Sequence, residues 1–198
     1  IKEKLIGKTF EFKSSPNDAY DNFLKELDNE EIIKKYKDTI IEVFKKSECN
    51  NLRLLRQGLL DFKRVYDLIL KEYTDNNKFI EDFIVWYFIF IFETRSGYCL
   101  SIKNLIENSE KYWDKISNSE VGVALGVEEE KDEKKNVFDK IYEKYSISIH
   151  ADTILSLETW QTLIEDSCIV NEKINDEIVK SKYFINENTE SWKRLWSF

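Results

Sequence analysis

Chain-breaking residues are scarce in this sequence of 198 residues, which contains one proline and five glycines. A sheet of many strands needs such residues at its tight turns, so their scarcity favours helices. Hydrophobic residues make up 42% of the chain and aromatic residues 14%, which is typical of a protein with a packed core and not of a disordered one. We therefore expect an all-α fold with at most one or two short strands.

The residues that most often build catalytic and metal sites are also few. His150 is the only histidine, and Cys49, Cys99 and Cys168 stand far apart without a CxxC pair. One histidine cannot supply a catalytic triad or a histidine-based metal cluster, and three widely spaced cysteines suit a reducing cytoplasm. We expect a cytoplasmic protein without a metal site, in which each cysteine is a small buried residue.

The charge of the chain is acidic, with 30 basic and 38 acidic residues and a net charge of −8. Such a charge repels nucleic acid at long range, so nucleic acid is not an expected partner. The chain contains no methionine, begins at Ile1 and shows no secretory signal. We interpret it as a piece of a longer protein.

The longest apolar run covers residues 83–92 and is flanked by acidic residues on both sides. A helix that spans a membrane needs about 20 apolar residues, roughly twice the length of this run, so no membrane association is expected. A helix buried on every side fits the run, but its aromatic residues and isoleucines leave a central β-strand open. An exposed patch for a partner is a third alternative.

Helix signals recur through the first third of the chain. Ser15 is a candidate N-cap and Pro16 suits the first helical position, so a helix is predicted over residues 17–28. Apolar residues at helical spacing predict two more helices, over residues 30–47 and 51–71.

The same spacing predicts helices later in the chain, over residues 100–116, 137–145 and 157–164, and another that begins at Asn171. Polar and apolar residues alternate over residues 146–149, which predicts one short strand.

The third predicted helix begins with polar residues and carries arginines in its first turns. Asn51 stands at its start, and Arg53 and Arg56 lie three positions apart, off the apolar stripe. A guanidinium can hold two phosphate oxygens, and a helix start adds free N–H groups and a positive dipole. The residues alone leave two interpretations open, a phosphate site and surface arginines paired with neighbouring glutamates.

This helix resembles the second-sensor helix of AAA+ ATPases, in which an arginine of the lid reaches the terminal phosphates of ATP. Residues 3–10 are similar to the stretch that leaves the core in a group of bacterial P-loop ATPases, and three lid-like helices follow. The resemblance covers roughly the first 70 residues. It implies that Arg53, with Asn51 beside it and Arg56 as a helper, contacts the terminal phosphates of ATP, which is bound with Mg to a core upstream in the same chain.

A phosphate-binding loop of the chain's own is not found. Gly7-Lys8-Thr9 ends like one, but Lys2 stands where the loop needs a glycine, and no residues remain for the strand before it. We therefore expect this chain alone to bind no ATP and to have no enzymatic activity.

The C-terminal tail is rich in aromatic residues, which is unusual for a chain end. Trp192, Arg194 and Trp196 have the composition of an interface hot spot. Two alternatives stay open: the tryptophans complete the core of the same domain, or they dock another subunit or a further segment of the protein.

Together with this resemblance, the patterns predict a lid-like helical bundle in residues 1–75 and a second helical region in residues 76–198 that oligomerises or contacts partners. The first hypothesis is the lid of a bacterial P-loop ATPase that forms homo-oligomers and couples ATP hydrolysis to partner contacts. The second is an all-α interaction module unrelated to ATP. The third is the effector region of an antiviral ATPase.

Overall fold

The computed structural model describes residues 15–27, 30–95, 101–106, 137–148 and 153–184. Within these ranges all regular secondary structure is helical, and no residue lies in a β-strand. The prediction of an all-α fold is confirmed.

The described helices follow one another along the chain with short connections in the first half. In order they are α1 (Pro16–Glu26), α2 (Glu31–Lys35), α3 (Lys37–Lys46), α4 (Leu52–Leu68), the 3₁₀ turn η1 (Leu70–Tyr73), α5 (Asn77–Arg95), α6 (Val137–Tyr145), α7 (Leu157–Ile164) and α8 (Asn171–Val179). Residues 102–106 form one further helical segment.

Helix α1 begins as its sequence predicts. The Ser15 side chain accepts a hydrogen bond from the Asp18 backbone N–H at 3.1 Å, and its hydroxyl donates to the Asp18 carboxylate at 2.8 Å. Pro16 occupies the first turn, where its missing N–H has no helical partner to lose. The Tyr20 hydroxyl donates to the Ile33 carbonyl at 2.7 Å, which ties α1 to α2.

The second predicted helix, over residues 30–47, is divided in the structure. Tyr36, with φ −103° and ψ 21°, separates α2 from α3. Its ring is buried, and its hydroxyl donates to the Asn77 carbonyl at the start of α5 at 3.3 Å. The tyrosine thus packs into the core at the point where the helix breaks.

Helix α5 occupies the centre of the fold, and α3, α4 and α7 pack against it. Over residues 83–92 every side chain is buried except the half-buried Val85. Phe83 and Trp160 lie 5.1 Å apart between ring centroids, and Phe44 and Phe92 also lie 5.1 Å apart. The run is therefore a core helix, and both the strand and the exposed-patch alternatives are wrong.

Helices α4 and α5 approach closely at Gly58. A Cβ atom at this position would lie 3.1 Å from Phe88 Cε1 and 3.3 Å from Ile91 Cγ2. Such distances are shorter than normal van der Waals contact, so a glycine at this position lets the two helices meet.

Two sequence predictions are wrong in the described residues. Residues 146–148 form no strand, because Ser146 leaves α6 with a positive φ of 60° and its N–H bonds back to the Tyr142 carbonyl. Cys49 is buried as expected, but Cys168 is exposed, because it lies in the irregular stretch between α7 and α8. Cys99 lies outside the described residues.

One hydrophobic cluster draws its residues from every helix between α1 and α8. Residues on both sides of the predicted boundary at 75/76 contribute to this core, and the division into two regions stays a prediction. None of the helices in the described ranges has both the length and the apolar character that a membrane crossing requires.

Candidate functional site

The start of α4 carries the residues that the sequence singled out. Asn51 is the N-cap, with its backbone extended and its side-chain oxygen accepting a hydrogen bond from the Arg53 N–H at 3.0 Å. Leu55, one turn further on, is fully buried and fixes this end of the helix against the core. Helix α4 is 17 residues long, and its first turn is fixed by the Asn51 cap and by the buried Leu55 side chain.

The Arg53 side chain is exposed on the first turn of α4. Among the described residues, no carboxylate lies within ion-pair distance of its guanidinium. The adjacent Leu52 and Leu54 are partly buried against the core, so the helix presents Arg53 on its outer side. Its five N–H donors are available to a ligand that approaches from solvent.

Arg56, one turn further along, is already engaged. Its Nε donates to the Glu26 carboxylate of α1 at 2.7 Å, and the two side chains are 46% and 50% exposed. At that exposure solvent screens the pair, which contributes at most about 1 kcal/mol to stability. The two arginines therefore differ: Arg56 has the local glutamate partner that a surface arginine commonly finds, and Arg53 has none among the described residues.

The other predicted site residues are those of the C-terminal tail. Trp192, Arg194 and Trp196 lie outside the described residues, as do residues 3–10 at the other end of the chain. The tail prediction therefore stays a prediction. Just before it, Tyr183 and Phe184 pack against Phe79, with ring centroids 5.7 and 5.1 Å away.

A buried ionic cluster that the sequence analysis missed lies at the end of α5. Glu93 is 8% exposed and accepts hydrogen bonds from Lys144 Nζ at 2.7 Å and from the Tyr145 hydroxyl. Burial, followed by the hydrogen bond to Glu93, raises the pKa of Tyr145 above its ordinary range. The cluster fastens α6 to α5. The sequence signal that could have revealed this cluster is Glu93 itself, an acidic residue directly after the apolar run 83–92.

A second cluster joins three helices at the end of α5. The Arg95 guanidinium donates to Asp61 Oδ2 of α4 at 2.9 Å and to the Ile164 carbonyl at the end of α7, also at 2.9 Å. Arg95 is 69 residues before Ile164 and 34 after Asp61 in the sequence. No local pattern predicts such a pairing.

A third cluster caps α7 from α8. The Glu177 carboxylate accepts hydrogen bonds from the Ser156 N–H at 2.7 Å and from the Thr159 hydroxyl at 2.7 Å. Ser156 is also the N-cap of α7, and Thr159 is 2% exposed. The buried hydroxyl and the first turn of α7 thus obtain partners from the next helix, which is a structural role.

The side chains in the described ranges include no group of three or more His, Cys, Asp or Glu residues that could hold a metal ion. The groups available to a ligand at the start of α4 are a cationic side chain and helix N–H groups, and these suit an anion. Comparison of the chain with protein-family models, with curated proteins and with solved structures finds no match.

Proposed function

We propose that the bundle formed by α1 to α4 is the lid of a P-loop ATPase, and that Arg53 contacts the terminal phosphates of ATP bound with Mg to a core upstream in the same chain. The observation that carries the proposal is the state of Arg53. It is exposed in the first turn of a capped helix and has no carboxylate partner among the described residues.

The chemistry of this position favours phosphate over other ligands. A guanidinium is planar, stays charged and can hold two phosphate oxygens at once. The positive end of the α4 dipole adds to its attraction for an anion. Because no ion pair to a described residue has to be broken, Arg53 can bind phosphate at little cost.

Arg56 and Asn51 have supporting roles in this proposal. Arg56 would first have to leave Glu26, a pair whose loss costs at most about 1 kcal/mol at the observed exposure. Asn51 accepts a hydrogen bond from the Arg53 N–H and so fixes the backbone from which the guanidinium extends. Arg53 is therefore the main contact and Arg56 its helper.

The packing of α4 suggests how ATP would act on the rest of the protein. α4 crosses α5 in close contact at Gly58, and α5 also packs on α3 and α7. A shift of α4 toward ATP would move α5 with it, because packed helices shift as rigid bodies. In a cytoplasmic homo-oligomer this movement would couple hydrolysis to contacts made by residues 76–198.

The test is ATP turnover by the full-length parent protein with Arg53→Ala. We expect a loss of roughly 100-fold, the size typical for removal of one donor that stabilises a developing charge. Lys45→Ala is the matched control: Lys45 is also basic and exposed in the same bundle, at the end of α3, and makes no ion pair with the described residues. It should leave turnover unchanged.

Two further measurements make the result decisive. Arg53→Lys keeps the charge but loses the planar fork, so it should recover only part of the turnover. Circular dichroism of each variant checks that the parent is still folded. Unchanged turnover in folded Arg53→Ala would remove Arg53 from the mechanism and would leave an all-α interaction module as the better explanation.

A further inference from the structure

Tyr87 of α5 has a buried hydroxyl group without a hydrogen-bond partner among the described residues. Its side chain is 2% exposed, and its ring packs against Phe62 and Phe88. No atom of the described residues makes a hydrogen bond with the hydroxyl. Buried hydroxyl groups nearly always have a partner in native proteins, so this one calls for a partner other than the described residues.

Tyr87 lines a small cavity between α4, the end of α5 and the segment after α7. We call it the Tyr87 cavity. Its polar lining comes from Asp61, Arg64, Tyr87, Arg95 and Ser167, and its apolar lining from Val65, Leu163 and Ile169. Its volume is about 30 Å³. A water molecule needs about 10–15 Å³ on this measure, so the cavity admits one or two oxygen-sized atoms and no large organic ligand.

Asp61 is the only carboxylate among the described lining residues, and both of its oxygens already accept hydrogen bonds. Asp61 Oδ1 accepts from Gln57 Nε2 at 2.9 Å, and Asp61 Oδ2 accepts from Arg95 at 2.9 Å. Burial raises the pKa of Tyr87, and the charge of Asp61 raises it further, so the phenol keeps its proton at neutral pH. Tyr87 therefore acts as a donor.

The remaining polar groups are donors too. Arg64 and Ser167 are exposed at the mouth of the cavity, and their side chains make no hydrogen bond or ion pair with the described residues. Arg95 uses two of its nitrogens on Asp61 and Ile164 and keeps further N–H groups. Two guanidinium groups face one carboxylate, which leaves the lining with a surplus positive charge.

We propose that the Tyr87 cavity binds a small tetrahedral oxyanion of the phosphate class. One oxygen enters the cavity and accepts a hydrogen bond from the Tyr87 hydroxyl. The other oxygens stay at the mouth, where Arg64, Arg95 and Ser167 donate to them. A cation would meet two guanidinium groups, and an apolar ligand would leave the buried hydroxyl unsatisfied.

This site is separate from the start of α4, since Arg64 lies three turns along the same helix from Arg53. Its existence does not depend on the ATPase proposal. An oxyanion here would bridge α4 and α5 to the segment after α7 and would hold the three together.

The test is isothermal titration of the 198-residue chain with inorganic phosphate at constant ionic strength, with chloride as the reference anion. We expect one site, and affinity about tenfold weaker in Tyr87→Phe and in Arg64→Ala, since each removes one donor. Lys45→Ala is the control and should bind like the unmodified chain. Without phosphate, the Tyr87→Phe variant should be at least as stable as the unmodified chain, because the substitution removes an unsatisfied hydroxyl. A loss of affinity in this variant would therefore not be caused by unfolding.

Three further titrations identify the ligand. Sulfate should compete with phosphate, because it has the same shape. Tighter binding of acetate than of phosphate would overturn the proposal in favour of a planar carboxylate. Phosphate binding that is lost in Arg53→Ala but kept in Arg64→Ala would place the anion at the start of α4 and would also overturn the proposal. The absence of binding at millimolar phosphate would overturn it too, and would leave only ordered water in the cavity.

Discussion

Gly58 offers the sharpest test of the packing between α4 and α5. Replacing it with alanine puts a methyl group 3.1 Å from Phe88 Cε1 and 3.3 Å from Ile91 Cγ2. Both neighbours are fully buried at 0% exposure. The Phe88 ring is also held between Phe62 and Phe92, with ring centroids 5.7 and 5.6 Å away. Neither neighbour can move aside without displacing other core residues.

Two opposing effects set the size of the change. Alanine is better than glycine inside a helix by about 1 kcal/mol. Overpacking a well-filled core costs about 1–3 kcal/mol. We therefore expect Gly58→Ala to lower the free energy of unfolding by about 1 kcal/mol in spite of its better helix propensity. Valine is larger than alanine and a weaker helix former, so Gly58→Val should lower the free energy of unfolding by about 3 kcal/mol.

The assay is equilibrium unfolding in urea, followed by circular dichroism, with the m-value checked for constancy. Gln57→Ala, at an exposed position beside Gly58, is the control: it loses one exposed hydrogen bond to Asp61 and gains helix propensity, so it should change stability by less than about 0.5 kcal/mol. A gain in stability for Gly58→Ala, together with tolerance of valine, would refute the close contact between the two helices.

Two other predictions concern buried polar groups. Glu93→Ala leaves Lys144 and the Tyr145 hydroxyl without their acceptor and should lower the free energy of unfolding in urea by about 2–3 kcal/mol, with Glu93→Gln costing less; a change below about 0.5 kcal/mol would contradict the role of the cluster. Burial raises the pKa of Tyr20, Tyr87 and Tyr145 in the folded state, so the unfolded chain loses these protons first, near pH 10. The contribution of these tyrosines to the free energy of unfolding is therefore fully present below about pH 10. Above that pH the free energy of unfolding falls by up to roughly 1.4 kcal/mol per pH unit for each tyrosine. Urea unfolding between about pH 8 and 11 measures this slope, which Tyr145→Phe should reduce, and a flat profile would contradict it.

Local sequence signals predicted most of the helices. The Ser15 cap and Pro16 placed the start of α1, and the Asn51 cap placed the start of α4, because a cap depends on atoms within three residues of each other. The exposure of Arg53 also followed from its place off the apolar stripe of α4. The partner of Arg56 did not, since Glu26 is 30 positions away.

Other features of the fold depend on how the helices pack against one another. Periodicity could not separate helix from strand over residues 83–92, and that choice depends on α3, α4 and α7 covering α5 from several sides. The break at Tyr36 depends in the same way on the core that receives its ring.

By itself, the sequence determined that this protein is helical, where its capped helices begin and which faces they bury, because backbone hydrogen bonds and caps are local. The tertiary structure alone decided which polar groups meet. Glu93 and Lys144 are 51 residues apart, and Asp61 and Arg95 are 34 apart. Such pairs, and the Tyr87 cavity beside Asp61 and Arg95, depend on the distances between packed helices, which no local pattern encodes.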